Sequence, residues 1–230
     1  LTDQKWVANE KENESFLFVI FSYASENLTA LLKEKQDPLD ILDYCLQLCL
    51  AVRQLQRCST KSPLGDLNPF FHGNLKPNNI LFFIKGKKKI LKIADLGLEP
   101  SYEKNSKYLS PDQKEGKPED FHCDLFALSQ VLKEMLPEPS FDVSGILDAM
   151  ENKERSKKEN LLGNLIRILW QEQKDLEKKR RAYSYFLLGY NLWQQGQNKY
   201  ALEDFAYAIS LDPGLIDAFI YQGEAWKGLN

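Results

Sequence analysis

The side chains best suited to chemistry lie in the segment from His72 to Asn79, which reads HGNLKPNN, and in the triplet that begins at Asp95. Lys76 supplies a cation and Asp95 supplies a carboxylate. Asn74 supplies only a carboxamide, which cannot take up a proton at pH 7 as a carboxylate with a pKa near ~4 can. The set can therefore hold charged groups, but position 74 offers no base for proton transfer.

The stretch that separates the loop from Asp95 has the pattern of a β-hairpin. Residues 80–84 (ILFFI) are an apolar run rich in strand-forming side chains, and residues 90–94 (ILKIA) are a second such run. The glycine and lysines of residues 86–89 predict a solvated turn between them. The hairpin would position Asp95 directly after its second strand, one tight connection away from the loop.

This order of segments resembles the C-terminal lobe (C-lobe) of protein kinases. The segment HGNLKPNN matches the kinase catalytic-loop pattern H-R-D-L-x-x-x-N in frame, with Asn74 in place of the aspartate. The triplet D-L-G at residues 95–97 resembles D-F-G. Three later stretches resemble the A-P-E motif, the start of the central helix and the stretch whose arginine pairs with the A-P-E carboxylate, namely Ser110-Pro111-Asp112, residues 124–128 and residues 150–155. The resemblance implies an α+β, mainly α-helical fold.

The resemblance also implies roles for individual residues. In active kinases the aspartate at the position of Asn74 accepts the proton of the substrate hydroxyl. Lys76 lies at a phosphate-contact position, and Asn79 and Asp95 lie at the Mg²⁺ positions, so these three would contact ATP and Mg²⁺. Asn79 and Asp95 could also be present because they hydrogen-bond the loop backbone. Four other residues would be structural: His72 beneath the D-x-G turn, Asp124 as a brace on the loop backbone, and Asp112 paired with Arg155.

The N-terminal residues resemble only the end of a kinase N-terminal lobe (N-lobe). Residues 16–23 (FLFVIFSY) are similar to the last strand of that lobe, which leads into the hinge. The sequence before them contains neither G-x-G-x-x-G nor V-A-I-K, the motifs that cover and clamp the nucleotide phosphates. The first residue is Leu1 and not Met, which indicates a segment of a longer product. We expect no cofactor in this chain, and ATP with Mg²⁺ only if an N-lobe is present.

The C-terminal residues resemble a tetratricopeptide repeat (TPR). Counted from Ala182 as a unit of about 34 residues, the sequence has small and aromatic side chains where TPR helices pack, and a proline after the second helix. These residues are Leu188, Gly189, Ala201, Phe205, Ala208 and Pro213. A second, partial unit begins at Ile216. Because each repeat relies on its neighbour to bury its core, the resemblance implies further repeats or docking on a protein.

Four parts are predicted along the chain: the last N-lobe strands and hinge (1–24), a kinase-like C-lobe (25–156), a helical connector (157–181), and one complete and one partial TPR (182–230). The apolar residues of the connector have helical spacing, so it should run as a stiff helix toward the first TPR helix. An amphipathic helix is predicted from Pro38 to Arg57. Residues 59–70 form a loop longer than is usual at this junction in kinases.

Composition argues against several other classes. The chain has 30 Lys and Arg against 33 Asp and Glu, a net charge of −3, which gives no case for a nucleic-acid partner. No apolar run approaches the ~18 residues of a membrane span. Cys45 and Cys49 share one face of a predicted helix, and the other two cysteines are scattered. This usage is typical of reduced thiols in an intracellular protein and predicts a cytoplasmic location.

Several functions remain open. The sequence favours a catalytically inactive, kinase-like (pseudokinase) scaffold that binds proteins through its lobe and its TPR module within a larger complex. Asn74, the missing phosphate motifs and the short segment of 12 residues between D-L-G and S-P-D support this interpretation. The alternative is a Ser/Thr kinase that is active in a longer form with a full N-lobe, as Lys76, Asn79 and Asp95 indicate. A structural subunit of a larger assembly is a third interpretation, which the sequence does not separate from scaffolding.

Overall fold

The structure is a computed structural model that describes residues 24–57, 59–61, 67–96, 106–117, 120–139, 141–158 and 160–229. The described residues are mainly helical, with one small three-stranded sheet. The strands are β1 (Glu26–Asn27), β2 (Ser59–Lys61), β3 (Leu67–Pro69), β4 (Ile80–Lys85) and β5 (Lys88–Ile93). The helices are α1 (Leu28–Leu31), α2 (Pro38–Arg57), α3 (Pro111–Lys114), α4 (Phe121–Met135), α5 (Ser144–Glu151), α6 (Lys153–Lys158), α7 (Leu161–Gln194), α8 (Asn198–Leu211) and α9 (Ile216–Lys227). The expected N-lobe strand at residues 16–23 lies outside the described residues.

The hairpin predicted after the loop is confirmed, but its turn is only Gly86 and Lys87, because Lys88 and Lys89 already pair within β5. Strands β4 and β5 pair antiparallel, with Ile80 opposite Ile93 at one end and Lys85 opposite Lys88 at the other. Gly86 has φ of 65° at the first position of the two-residue turn, as a type II′ turn requires, because only glycine adopts this conformation without strain. Strand β1 pairs with the outer edge of β4. Strand β4 therefore begins directly after the loop, and strand β5 ends two residues before Asp95.

The segment at residues 59–70 differs from the expected loop. Strands β2 and β3 pair antiparallel and form a separate two-stranded ribbon, with Thr60 opposite Asn68. Each strand has only three residues. Strands this short have too few alternating side chains to reveal themselves in a sequence pattern.

The helix predicted from Pro38 to Arg57 is confirmed as α2. Its start is fixed by Asp37, whose side chain accepts a hydrogen bond from the Leu39 N–H at 2.9 Å. Cys45 and Cys49 are fully buried on its apolar face and form no disulfide. Burial raises the pKa of the Cys49 thiol to about 12, and burial together with the neighbouring Cys49 raises the pKa of Cys45. Both groups are therefore neutral thiols.

The described chain divides into two compact units. The first comprises the residues up to Gln36 together with Ala51–Glu134, and so contains the sheet, the loop and most of α4. The second comprises Asp37–Leu50 and the residues from Met135 onward. Helix α2 contributes its N-terminal part to the second unit and its C-terminal part to the first. This division follows packing, whereas the four predicted parts followed motifs along the chain.

The second unit ends in three consecutive helices that pack on one another, α7, α8 and α9. Helix α7 is continuous over 34 residues, so the helix predicted for the connector is confirmed from Leu161 onward, and it has no break near residue 181. The core between the helices is made of small and aromatic side chains, namely Phe186, Ala201, Phe205, Ala208, Ala218 and Ala225. A cluster of rings surrounds it, with Tyr221 at 4.8 Å from Tyr190 and at 5.1 Å from Trp193 between ring centroids.

Among the described residues, no helix combines the length and the apolar character that crossing a membrane would need.

Candidate functional site

The loop from His72 to Asn79 is held at its start by one buried carboxylate. Asp124, near the N-terminus of α4, is 1% exposed. Its Oδ2 accepts a hydrogen bond from the His72 backbone N–H at 2.7 Å, and its Oδ1 accepts one from the Gly73 N–H at 2.9 Å. Hydrogen bonds to an ionised acceptor are among the stronger ones in proteins. The carboxylate therefore fixes two adjacent peptide groups of the loop.

The His72 ring uses both of its nitrogens inside the loop. The Asn74 backbone N–H donates to Nδ1 at 3.2 Å, so Nδ1 is an acceptor, and Nε2 donates to the Ala94 carbonyl at 2.8 Å. The ring is buried and joins the loop to the chain that follows β5. With both nitrogens occupied, His72 serves neither as a general base nor as a metal ligand in this arrangement.

Asn79 forms the second connection between the loop and the hairpin. Its Nδ2 donates to the Asn74 carbonyl at 2.9 Å, and its own carbonyl accepts from the Ala94 N–H at 2.8 Å. The side chain is buried, with its amide nitrogen directed at the loop backbone. This leaves Oδ1 as the atom that could face a cation. The two predicted roles of Asn79 therefore use different atoms of its amide: Nδ2 braces the loop, and Oδ1 would bind a cation.

Asp95 follows directly after this connection and has an unusual backbone. Its φ of 62° lies in the left-handed region, and it is the one non-glycine residue with positive φ in the described part of the chain. Asp tolerates this conformation better than most residues, although it still carries some strain. The side chain is exposed, so its carboxylate is open to a cation or a phosphate-bound metal.

Asn74 and Lys76 line a cleft beside the loop. The cleft has a volume of about 260 Å³. Its walls are the loop itself, Thr29 of α1 and part of the segment before α3, and they include Gly73, Leu75, Pro77, Asn78, Ser106, Tyr108 and Leu109. Sites for drug-sized ligands usually measure about 300–1,000 Å³, so this cleft suits a side chain or a small group. Asp95 does not line it.

The segment that begins α3 is tied to the loop by a residue that the sequence did not single out. Ser110 and Gln113 form a reciprocal capping box, in which each side chain accepts from the backbone N–H of the other residue. The Gln113 Nε2 also donates to the Gly73 carbonyl at 2.7 Å. The S-x-x-Q spacing is a readable cap signal, but nothing in it indicates a bond to a residue 40 positions earlier.

Tyr108, on the wall of the cleft, is anchored to α4. Its hydroxyl donates to the Glu134 carboxylate at 2.6 Å, and Lys107 forms an ion pair with the same carboxylate at 2.9 Å. Partial burial, followed by the hydrogen bond to Glu134, raises the pKa of Tyr108 above its usual range. The hydroxyl therefore stays protonated and acts as a hydrogen-bond donor.

The predicted pair of Asp112 and Arg155 stays a prediction. Asp112 lies in α3 and forms an ion pair with Lys117 at 3.6 Å. Arg155 lies in α6, where its backbone N–H donates to the Asn152 side chain. The two residues belong to different compact units.

The six residues that matched the TPR pattern fall into two groups. Gly189 is buried where α7 meets α8, and a Cβ built on it would lie 2.9 Å from the Phe205 ring and 3.1 Å from the Ala201 carbonyl. Phe205, Ala201 and Ala208 are fully buried. Leu188, however, is 53% exposed on α7, so it does not pack inside this helical hairpin. Pro213 is exposed in the turn between α8 and α9.

No protein family model matches the chain, but a comparison with known proteins finds a partial similarity. The chain is 30% identical over 134 residues to the Serine/threonine-protein kinase nekl-2 of Caenorhabditis elegans. The match covers 54% of this chain and 34% of that protein, so the chain spans about a third of the length of this relative. Part of the chain is therefore similar to a Ser/Thr protein kinase.

Proposed function

We propose that this protein is a catalytically inactive, kinase-like scaffold that binds protein partners in the cytoplasm as part of a larger complex. The observation that carries the proposal is Asn74. It stands at the position of the catalytic base in a loop whose backbone is hydrogen-bonded by Asp124, His72 and Asn79. Since the loop is ordered around an amide, the change removes proton transfer without removing the architecture.

The loss of the general base has a typical cost in reaction rate. A positioned general base typically contributes 10²- to 10⁴-fold to the rate. The Asn74 amide has no basicity at neutral pH, and its backbone N–H and C=O are already bonded to His72 and Asn79. No other side chain of the loop can take over, because the one imidazole there uses both of its nitrogens in hydrogen bonds.

The residues that would hold ATP and Mg²⁺ are only partly present. Asn79 and Asp95 are oxygen donors on hydrogen-bonded neighbouring segments, and Mg²⁺ commonly takes one or two such ligands together with phosphate oxygens. Lys76 would contact a phosphate group. The bound metal would neutralise charge on the phosphates. These three residues fit weak nucleotide binding, while the sequence contains neither of the two N-lobe phosphate motifs.

The C-terminal helices would supply the docking function. The close approach of α7 and α8 at Gly189, with Ala201 and Phe205 opposite, is the packing that a TPR unit requires. Stacked helical hairpins of this type present extended surfaces to other proteins. We therefore assign partner binding to α7–α9, together with surfaces of the kinase-like lobe.

A phosphotransfer assay tests the proposal. The purified chain is incubated with Mg²⁺, radiolabelled ATP and a mixture of Ser- and Thr-containing peptides. We expect no transfer, and none with Asn74→Asp either, because a restored base still lacks the phosphate clamp. Transfer by the unaltered chain that Asp95→Asn abolishes would overturn the proposal.

A second candidate is a Ser/Thr kinase that is active when an N-lobe is supplied. It is favoured by the retained Lys76, Asn79 and Asp95 and by the kinase name of the relative. Mg²⁺-dependent stabilisation of the chain by ATP, lost in Asp95→Asn, together with phosphate transfer once an N-lobe is supplied, would establish it. A third candidate, a purely structural subunit, predicts neither effect.

A further inference from the structure

The β4–β5 hairpin concentrates positive charge in a chain that is acidic overall. Residues 84–93 contain five lysines, at positions 85, 87, 88, 89 and 92, and no acidic residue, whereas the whole chain has a net charge of −3. The five residues from Ile84 to Lys88 are all exposed, and they form the end of the hairpin. We name these five residues the hairpin tip.

Two of the five lysines have a structural partner. Lys89 forms an ion pair with Glu26 on β1 at 2.6 Å. Lys92 places its Nζ 4.5 Å from the centre of the Phe83 ring. For Lys85, Lys87 and Lys88, no acidic side chain among the described residues lies within ion-pair distance. The positive charge that no described acidic side chain neutralises is therefore located at the hairpin tip.

The register makes this charge unfavourable for the hairpin itself. Lys85 lies directly opposite Lys88 on the neighbouring strand. Like charges in directly opposed positions destabilise an antiparallel pair. Ile84 pairs with Lys89, on the opposite face of the two strands, and is 67% exposed, so a large apolar side chain stands in solvent next to the charged turn. Neither feature helps folding, and both suit a surface that is negatively charged outside and apolar beneath.

We propose that the hairpin tip docks on membranes that contain anionic lipids. Lys85, Lys87 and Lys88 contact the lipid headgroups, and the Ile84 side chain inserts among the headgroups. The tip is a projecting turn and not a groove, so it fits a flat surface better than it fits a peptide. Its cations are all lysines, which act as point charges and lack the planar fork with which Arg recognises carboxylates or bases. The neighbouring aromatic face, Phe83, is covered by Lys92 and is not open to stack on nucleobases.

The expected strength is modest and depends on salt. Each lysine near an anionic bilayer raises the partition coefficient by about fivefold, so three lysines together give roughly 10². The attraction falls off within about 10 Å at ~0.1 M salt, and more salt weakens it further. The apolar side chain adds a contribution that salt does not remove.

A vesicle flotation experiment with the full chain tests the proposal. The vesicles consist of phosphatidylcholine alone or of phosphatidylcholine with one third phosphatidylserine. We expect binding to the mixed vesicles that is lost at high salt, lost in the triple variant Lys85→Glu, Lys87→Glu, Lys88→Glu, and weakened severalfold in Ile84→Ser. Circular dichroism establishes that each variant is folded.

A charge-matched control separates the tip from net charge. Lys178, Lys179 and Arg181 are exposed on α7, and replacing all three with Glu changes the charge by the same amount. This control variant should float like the unaltered chain. Equal loss in both variants, no binding to the mixed vesicles, or binding to single-stranded DNA or polyglutamate in their place would overturn the proposal.

Discussion

At the scale of single residues, the shape of the loop depends on one buried carboxylate of α4. Asp124 is buried and accepts two backbone hydrogen bonds, from His72 and from Gly73. Its loss would leave two peptide N–H groups buried without acceptors, and each such group costs about 1–3 kcal/mol. The shape of the site is therefore tied to the stability of α4.

Replacing Asp124 with alanine should lower the free energy of unfolding by about 2–5 kcal/mol. Asp124→Asn keeps one acceptor oxygen and should cost about half as much. Urea-induced unfolding followed by circular dichroism measures both values. Glu138→Ala, at an exposed position outside the helices, is the control and should change stability by less than ~0.5 kcal/mol. If Asp124→Ala unfolded at the same urea concentration as the control, the two hydrogen bonds would not contribute to the stability of the fold.

Residue-level prediction succeeded where a motif fixes a position and stopped where a contact spans the fold. The hairpin that carries Asp95 was predictable because alternating apolar runs and a glycine turn are local signals. The bond from Gln113 to the Gly73 carbonyl and the anchoring of Tyr108 on Glu134 were not. Such side-chain hydrogen bonds depend on how segments far apart in sequence pack together. The spacing of residues within a motif does not predict that packing.

At the scale of elements, the close packing of α7 and α8 requires a glycine. A Cβ at Gly189 would lie 2.9 Å from the Phe205 ring and 3.1 Å from a backbone oxygen of α8. Gly189→Ala should therefore destabilise the protein by about 1–3 kcal/mol through overpacking. Gly223→Ala in α9 is the matched control, because its Cβ would meet nothing within 4 Å. Removing this glycine should stabilise the helix by up to about 1 kcal/mol. Thermal unfolding measures the change in stability of each variant, which should be a loss for Gly189→Ala and a gain for Gly223→Ala. Destabilisation by both substitutions would contradict the packing argument.

The start of α2 is linked to α7 by a pair whose strength depends on pH. The Arg180 guanidinium donates to the Asp37 carboxylate, and this bond, together with the Leu39 N–H, lowers the Asp37 pKa. A folded pKa below the unfolded value near ~3.9 means that the pair stabilises the fold above that pH. The contribution disappears as pH falls through the folded pKa. Both side chains are well exposed, so we expect no more than about 0.5 kcal/mol.

Arg180→Ala should therefore lower the unfolding free energy slightly at pH 7 and by less at about pH 3, where a larger share of Asp37 is protonated. Urea titrations at the two pH values measure the difference. Arg181→Ala, at the exposed neighbouring position, should have no effect at either pH. A loss that is equally large at both pH values would mean that Arg180 acts through packing and not through charge.

Long elements were predictable and short ones were not. Helix α2 and the helical character of α7 follow from apolar periodicity sustained over many residues. The ribbon of β2 and β3 has too few residues to carry a pattern. Leu188 shows a different limit, since a repeat pattern assigns it to packing although in α7 it is exposed. A pattern taken from stacked repeats includes contacts with neighbouring repeats, and such a contact is not made within this hairpin.

At the scale of the whole molecule, motifs and packing divide the chain differently. The kinase-like lobe was predicted to begin at residue 25, but the N-terminal part of α2 belongs to the unit that contains α7–α9. A helix is one hydrogen-bonded body, so α2 belongs to the folding of both units. The sequence could not reveal this division, because it depends on which helices pack on which.

Hydrogen exchange measures how far the two units are independent. Gly189→Ala should speed amide exchange in α8 and α9 and leave β4 and β5 unchanged, because the strained contact lies within one unit. The response of α2 would show how much of that helix follows the second unit. Equal acceleration in the sheet and in the C-terminal helices would show instead that the described chain unfolds as one cooperative body.

The ring cluster of the C-terminal helices makes this comparison accessible to simple optics. The tryptophans of the described residues, Trp170, Trp193 and Trp226, all lie in α7 and α9, and Tyr221 is near enough to Trp193 to pass it excitation energy. With Trp6 replaced by phenylalanine, indole emission would report the C-terminal helices alone. Far-ultraviolet dichroism of the same sample would report both units, so a gap between the two melting curves would give each unit its own stability without any added label.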